Sequence, residues 1–546
     1  MEKISIQISK FTLKFVVIAL ILLFLGQSNT QNVNAEVDAT DNDPTLSYSS
    51  FLGGTKDEYN KNTLDLAHLD VVSDSQDNII IVGRSTSLDY PTKNAIQDNC
   101  SGGSDIVITK FASDGKTLLF STYFGGTGNE WATGVAVDSN DDIIISGSTG
   151  SSNFPLVEAY QSQNNGGGMG NLDLFIMKLS SDGQTIIFST YFGGGGDDWG
   201  YSVILDHDNN ILVTGSTSSS DLPLKNAVQP IFGGVLDGYI TKFNPEGSAL
   251  LFSTYIGSDS YDWGYDLAID SLNNAIMIGG SRSENLFHDE SIVSTSGGST
   301  DILIAKLSPT GTYIFWSLLG SELVETGISV DVNNNDDIIF ASNVPDQSSF
   351  QNLLTKRTYG KGKGDIGIGK LSKNGKTLQF ITILGGSEHD EVNSIEIDQK
   401  NHIIIAGQTF SDDFSGNNMK SRALGGGDAF CIILSSQGYL AFSTYIGGSK
   451  TDNIQALTKD SDNNPIFAGF SLSPEDFPIV DAFQSSMSSN KYEMIYGKIV
   501  VVSKDYRVKL DGRSLIIMSI AIVGAIGVSG VIFIVIKKKR NLKIKE

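Results

Sequence analysis

The chain has 546 residues, a formal charge of -24, 59 glycines, 11 prolines and 2 cysteines. Such a charge argues against nucleic acid as a partner, and two cysteines cannot staple a fold of this length. Gly, Ser, Asn and Asp mixed with Val, Ile and Phe suit short strands and tight turns, which excludes a helical body.

At the N-terminus Lys3, Lys10 and Lys14 precede an apolar run from Phe15 to Leu25 and the small-residue site Val33-Asn34-Ala35. Residues 1–35 read as a secretory signal peptide cut after Ala35, with an uncleaved anchor as the alternative. Residues 36–45 form a linker, 46–500 the body, and 501–513 a juxtamembrane stalk. Ser514 to Ile536 is a run of 23 uncharged residues, enough to cross a hydrocarbon core of about 30 Å as one transmembrane helix. Lys537, Lys538, Lys539 and Arg540 open a basic tail over 537–546 that belongs in the cytoplasm. The expected location is the cell membrane, crossed once, with the body outside. Gly524, Gly527 and Gly530 would let two such helices approach, without fixing an oligomeric state.

The body repeats. A segment of the type Phe120-Ser121-Thr122-Tyr123-Phe124-Gly125-Gly126 recurs, and its first glycines are Gly53, Gly125, Gly193, Gly257, Gly320, Gly385 and Gly447, spaced by 62 to 72 residues. Thirteen residues on stands Asp138, Asp206, Asp270, Asn333, Asp398 or Asp460, displaced to Asp74 in the first unit by an eight-residue insertion. Apolar runs such as Ile143-Ile144-Ile145 flank these Asp turns, and a third strand opens at Asp105, Asp173, Asp237, Asp301, Asp365, Asp428 and Glu493. Four strands per unit, seven times, is the count of a seven-bladed propeller. The body starts on a fourth strand and ends on a third, so the N-terminal strand is expected to complete the last blade as a velcro closure, which removes a free edge.

The Ser-Thr-Tyr-Phe-Gly-Gly, Val-Ala-Val-Asp and Asp-Leu-Phe-Ile-Met-Lys segments resemble the SBBP family, the seven-bladed β-propeller repeat, over residues 46–500. The resemblance implies an all-β seven-bladed propeller of four-stranded blades; it implies no particular activity. Cys100 and Cys431 then fall in the first and sixth units, too far apart to pair.

Alternating strands put the fourth-to-first and second-to-third connections on one face, the top, and the Asp turns on the bottom. The chain leaves the last blade at the bottom, which would turn the top away from the cell. Between second and third strands the length varies most, and Pro-x-x-x-Ala-x-Gln recurs there at Pro91, Pro155, Pro223 and Pro478, so these loops are candidate recognition elements.

Five residues after each first glycine the chain is acidic: Glu58, Glu130, Asp198, Asp262, Glu325, Asp390 and Asp452. Such a ring could bind cations or a basic partner, or each carboxylate could cap its own glycine turn. Next to it come Tyr59, Trp131, Trp199 and Trp263 in four successive units, suited to stacking on sugars or to wedging between blades. The Asp206 and Asp460 turns offer oxygens for Ca²⁺ but lack the glycine and closing Glu of an EF-hand loop, so no cofactor is expected, with Ca²⁺ as the single candidate. Lys110, Lys178, Lys242, Lys306, Lys370 and Lys498 suit ion pairs with the Asp turns.

The histidines are scattered and no nucleophile elbow occurs, so the sequence holds no catalytic set. The reading is a membrane-anchored, cell-surface recognition or adhesion module for an extracellular glycan or protein, with all eleven ring residues from Glu58 to Asp452 as ligand contacts. An extracellular carbohydrate-active enzyme using the funnel, or a structural envelope protein, are the alternatives.

Overall fold

The computed structural model describes residues 36–38, 45–56, 58, 69–167, 170, 172–283, 286, 299–346, 356–360, 362–414, 425–487, 491–500 and 507–509. The segments read as signal peptide, transmembrane helix and basic tail, together with Tyr59, lie outside them. Among the described residues no helix is long and apolar enough to cross a membrane.

Each repeat forms one antiparallel sheet whose strands follow in chain order. In blade two these are the inner strand Glu130–Val137, the second strand Ile143–Thr149, the third strand Asp173–Leu179 and the outer strand Ile186–Phe192. In blade two the second and third strands are buried at every position, because both faces of the sheet pack on a neighbouring blade. Thus Ile144, Leu174 and Ile176 of blade two share a core with Val213, Tyr239 and Phe243 of blade three. Inner strands adjoin one another around the axis, and blade seven meets blade one.

The ring closes as the missing strand predicts. Thr45–Leu52 pairs antiparallel with Glu493–Val500 and becomes the outer strand of blade seven. Blade five gains a fifth strand, Lys356–Thr358, which runs parallel to the outer strand Leu378–Leu384. Separately, Glu36–Asp38 pairs with Arg507–Lys509, so the segments read as linker and stalk contain a two-stranded ladder.

The Pro-x-x-x-Ala-x-Gln loops do not stand on the top face as the sequence suggested. They fold back along the outer strands, with Lys93 bridging Ser121, Val157 bridging Ser189 and Lys225 bridging Ser253. Each covers an otherwise open sheet edge. Their glutamines end as latches: Gln161 Oε1 accepts Gly193 N (3.1 Å) and its Nε2 donates to Asp173 Oδ2 (3.1 Å). The recurring motif therefore holds the blade, and its recurrence reflects an edge that had to be covered.

Candidate functional site

The seven top-face carboxylates are enclosed, each at most 1% exposed. They cap their own glycine turns. Gly126 N donates to Glu130 (3.1 Å), Gly194 N to Asp198 (2.8 Å), Gly386 N to Asp390 (2.7 Å) and Gly448 N to Asp452 (2.7 Å). The same pattern ties Gly54 N to Glu58 (2.9 Å), Ser258 N to Asp262 (2.7 Å) and Ser321 N to Glu325 (3.0 Å). Hydroxyls after the second strand add further bonds, as from Ser219 to Asp198 (2.8 Å) and Ser473 to Asp452 (2.8 Å). Facing a ligand in the funnel, expected of Glu58, Glu130, Asp198, Asp262, Glu325, Asp390 and Asp452, is corrected here, because their acceptor sites point into the turns.

Sequence reading missed the partner of each. The acid that opens a third strand sits across the first glycine from the ring acid of the next blade. A Cβ on Gly193 would lie 2.5 Å from Asp173 Oδ1 and 2.6 Å from Asp198 Oδ2. At Gly257 the same atoms belong to Asp237 and Asp262, and at Gly125 to Asp105 and Glu130. The repeat keeps glycine there because two carboxylates occupy the space of a side chain. Asp173 Oδ1, Asp237 Oδ1 and Asp301 Oδ1 are buried without a hydrogen-bond partner. Burial, followed by mutual repulsion and opposed by the turn amides, raises these groups: Asp173 and Asp237 to about 7. Burial likewise raises Glu58 to about 7 and Asp198, Asp390 and Asp452 to about 6.

On the bottom the acids are paired. Lys110 meets Asp74 (2.9 Å), Lys178 Asp138 (2.6 Å), Lys242 Asp206 (2.7 Å), Lys306 Asp270 (2.8 Å) and Lys498 Asp460 (3.5 Å). Where blade five has Asn333, Lys370 takes Asp337 (3.2 Å), and where blade six has Ile433, Asp398 takes His402 (2.7 Å). The residue three past each turn acid is left-handed, with φ of 60° to 63°, from Asp77 and Asp141 round to Asn463. Its side chain accepts the amide of the preceding blade's turn at 2.7 to 3.2 Å, seven times, and Ser461 N to Asp77 closes the circuit. The Asp206 and Asp460 oxygens accept bonds from within their own turns. Among the described residues no three His, Cys, Asp or Glu side chains gather so as to hold a metal ion.

What the inner strands present to the axis is the open chemistry of the ring. Each inner strand of blades two to seven shifts register two or three residues past the ring acid. The bulged residues Thr133, Tyr201, Tyr265, Ile328, Asn393 and Gln455 all line an axial cavity of about 130 Å³. A bulge re-aims one side chain per strand, and a plain alternation count cannot find it. Tyr201 and Tyr265 meet edge to face at 5.3 Å, and Trp263 lies 6.1 Å from Tyr265. Across the axis Asn393 Nδ2 donates to Asn453 Oδ1 (2.7 Å).

Trp131, Trp199 and Trp263 are half-buried. They stand in register with Ser148, Ser216 and Gly280, small residues that let a ring lie across the second strand. Arg84 stacks over Trp131 at 5.7 Å and Arg282 over Trp263 at 5.7 Å. The mouth therefore carries aromatic rings and two guanidiniums over blades one to four, where the carboxyls of Asp70 and Asp266 also line the axial cavity, and is amide-rich over six and seven, where exposed His389 also pairs with Glu391 (2.7 Å).

Closed sheets, interblade cores and an axial mouth define the class: a seven-bladed β-propeller. One stretch of the ring, residues 187–223, from an outer strand to just past the next second strand, matches the model described as SBBP, Beta-propeller repeat. Similar solved structures include a protein of unknown function from Dyadobacter fermentans, 11% identical over 73% of this chain and 96% of that one (TM-score 0.37). BamB from Moraxella catarrhalis is 9% identical over 83% and 100% (TM-score 0.34). An inactive virginiamycin B lyase from Staphylococcus aureus, with quinupristin, is 10% identical over 82% and 99% (TM-score 0.35). No curated protein matches the sequence.

Proposed function

We propose that this protein is a cell-surface recognition module, anchored by its C-terminal apolar segment, whose top-face mouth binds an extracellular glycan. The observation that carries the reading is the lopsided mouth. Half-buried Trp131, Trp199 and Trp263, backed by Tyr201 and Tyr265, offer faces for sugar C–H groups, while Asn393, Asn453 and Gln455 offer hydroxyl partners opposite. The carboxylates that motivated a hydrolytic alternative are enclosed in glycine turns, which favours binding over glycoside cleavage.

The test uses the full chain purified in detergent and a panel of neutral and acidic oligosaccharides, read by tryptophan fluorescence. Binding that falls at least tenfold in both Trp199→Ala and Trp263→Ala supports the reading. Binding of proteins but no glycan, or glycan binding indifferent to both substitutions, refutes it.

A further inference from the structure

One position of the second strand breaks the repeat in a way that points to ligand charge. In units two and five the residue after the second-strand marker reaches toward the next blade's inner strand. There Ser148 Oγ accepts Gly200 N (3.3 Å) and Asn343 Oδ1 accepts Val392 N (2.9 Å). The first unit has Arg84 at this place, directly after Gly83. A guanidinium has five donors and no acceptor, so it cannot make that bond.

Instead the guanidinium lies over the Trp131 ring at 5.7 Å, with its Nε buried and lacking any hydrogen-bond partner. Among the described residues no carboxylate forms an ion pair with it, although the chain has 62 acidic residues. Glu58, the acid whose charge it feels, is already engaged by Gly54 N (2.9 Å) and the Ser87 hydroxyl (2.7 Å). A half-enclosed cation without a direct ion-pair partner is costly to keep. A fork of donors beside an aromatic face is also the arrangement that holds a planar carboxylate with its ring stacked alongside.

We propose that Arg84 and Trp131 together read a single carboxylate on the bound glycan, which makes a uronic-acid-containing oligosaccharide the ligand class. This rests on the glycan reading above. One charge fits better than many: the net charge of -24 repels a polyanion over a distance, while a lone carboxylate meets the guanidinium at contact range.

The experiment compares two probes on the full chain in detergent: a β-linked glucose trisaccharide ended by one glucuronate, and the same trisaccharide with that carboxylate reduced to the alcohol. The wild type should bind the acidic probe about ten- to a hundredfold more tightly. Arg84→Gln should bring both probes to the neutral probe's affinity, and Arg84→Lys should restore part of the preference. Gln also supplies an acceptor like those of Ser148 and Asn343, so this variant should melt at or above the wild-type temperature. Equal binding of both probes by the wild type, or a preference that survives in Arg84→Gln, overturns the inference while leaving glycan recognition standing. Binding of neither probe defeats both.

Discussion

Top and bottom of the ring solve one problem, the joining of neighbouring blades, with opposite electrostatics. On the bottom the turn acids Asp74, Asp138, Asp206, Asp270 and Asp460 each meet a lysine and the next blade's side chain meets the turn's backbone amide. On the top two acids face each other across a glycine, Asp173 against Asp198 and Asp237 against Asp262, and among the described residues no lysine or arginine forms an ion pair with any of the four. The difference teaches that a repeated acid says nothing by itself about ligand or metal. What matters is how deeply it is enclosed and which donors surround it, and the two sets of acids differ in both.

The contrast can be broken at the bottom first. Lys242→Met leaves Asp206 enclosed without its cation, since the two side chains are 3% and 1% exposed. It should lower the unfolding free energy by about 3–5 kcal/mol, seen as an earlier guanidinium midpoint. At the top, Gly193→Ala forces a methyl between two carboxylates and should cost about 2–4 kcal/mol. Gly195→Ala, whose nearest neighbour would be 3.5 Å away, serves as the control and should cost under about 1 kcal/mol.

Proton linkage sharpens the comparison, because the two faces carry opposite signs. Asp173 titrates at about 7 when folded against 3.8 ordinarily, so its contribution is complete below about pH 4 and lost as the pH rises to about 7. At the bottom, burial opposes ionisation of Asp74 and Asp206, but Lys, Asn and turn-amide hydrogen bonds outweigh it and hold both below 3.8. Their contribution is present above that value and lost as the pH falls through their lowered pKa. Asp173→Asn supplies a donor toward Asp198 and should therefore stabilise the fold by about 1–3 kcal/mol at pH 8 and by almost nothing at pH 4. Asp141→Ala removes two bonds to Ser75 (2.9 and 2.6 Å) and places Ala at a left-handed φ of 62°, and should cost about 1–3 kcal/mol. Asp141→Asn should be near neutral, since Asn209 fills the same role one blade on (3.2 Å).

Blade count, strand order and closure were all legible, because glycine, Asp turn and third-strand acid recur at fixed spacing and each marks a backbone event. The lysine ion pairs were legible for the same reason. Facing was not. The fixed offset from the first glycine gave Glu130 and Asp198 their height on the inner strand but left open whether they faced the funnel or capped the glycine turn. Asp105 and Asp173 were visible as strand openers, yet only the closed ring brings them against the next blade. Tyr201, Tyr265, Asn393 and Gln455 escaped notice because a bulge aims them at the axis, although their constant place beyond the ring acids was a usable signal. The Pro-x-x-x-Ala-x-Gln loops were misplaced because variable length was taken for exposure on one face.

The strand Thr45–Leu52 is made before any blade yet finds its partner, Glu493–Val500, only after all the others exist. At about 5–20 residues per second, the roughly 450 intervening residues take about 20 to 90 seconds to emerge. Through that interval a hydrophobic, edge-forming segment must stay unpaired while six neighbouring sheets assemble. Translation speed and early chaperone cover should therefore govern the yield of closed rings more than the stability of any single blade.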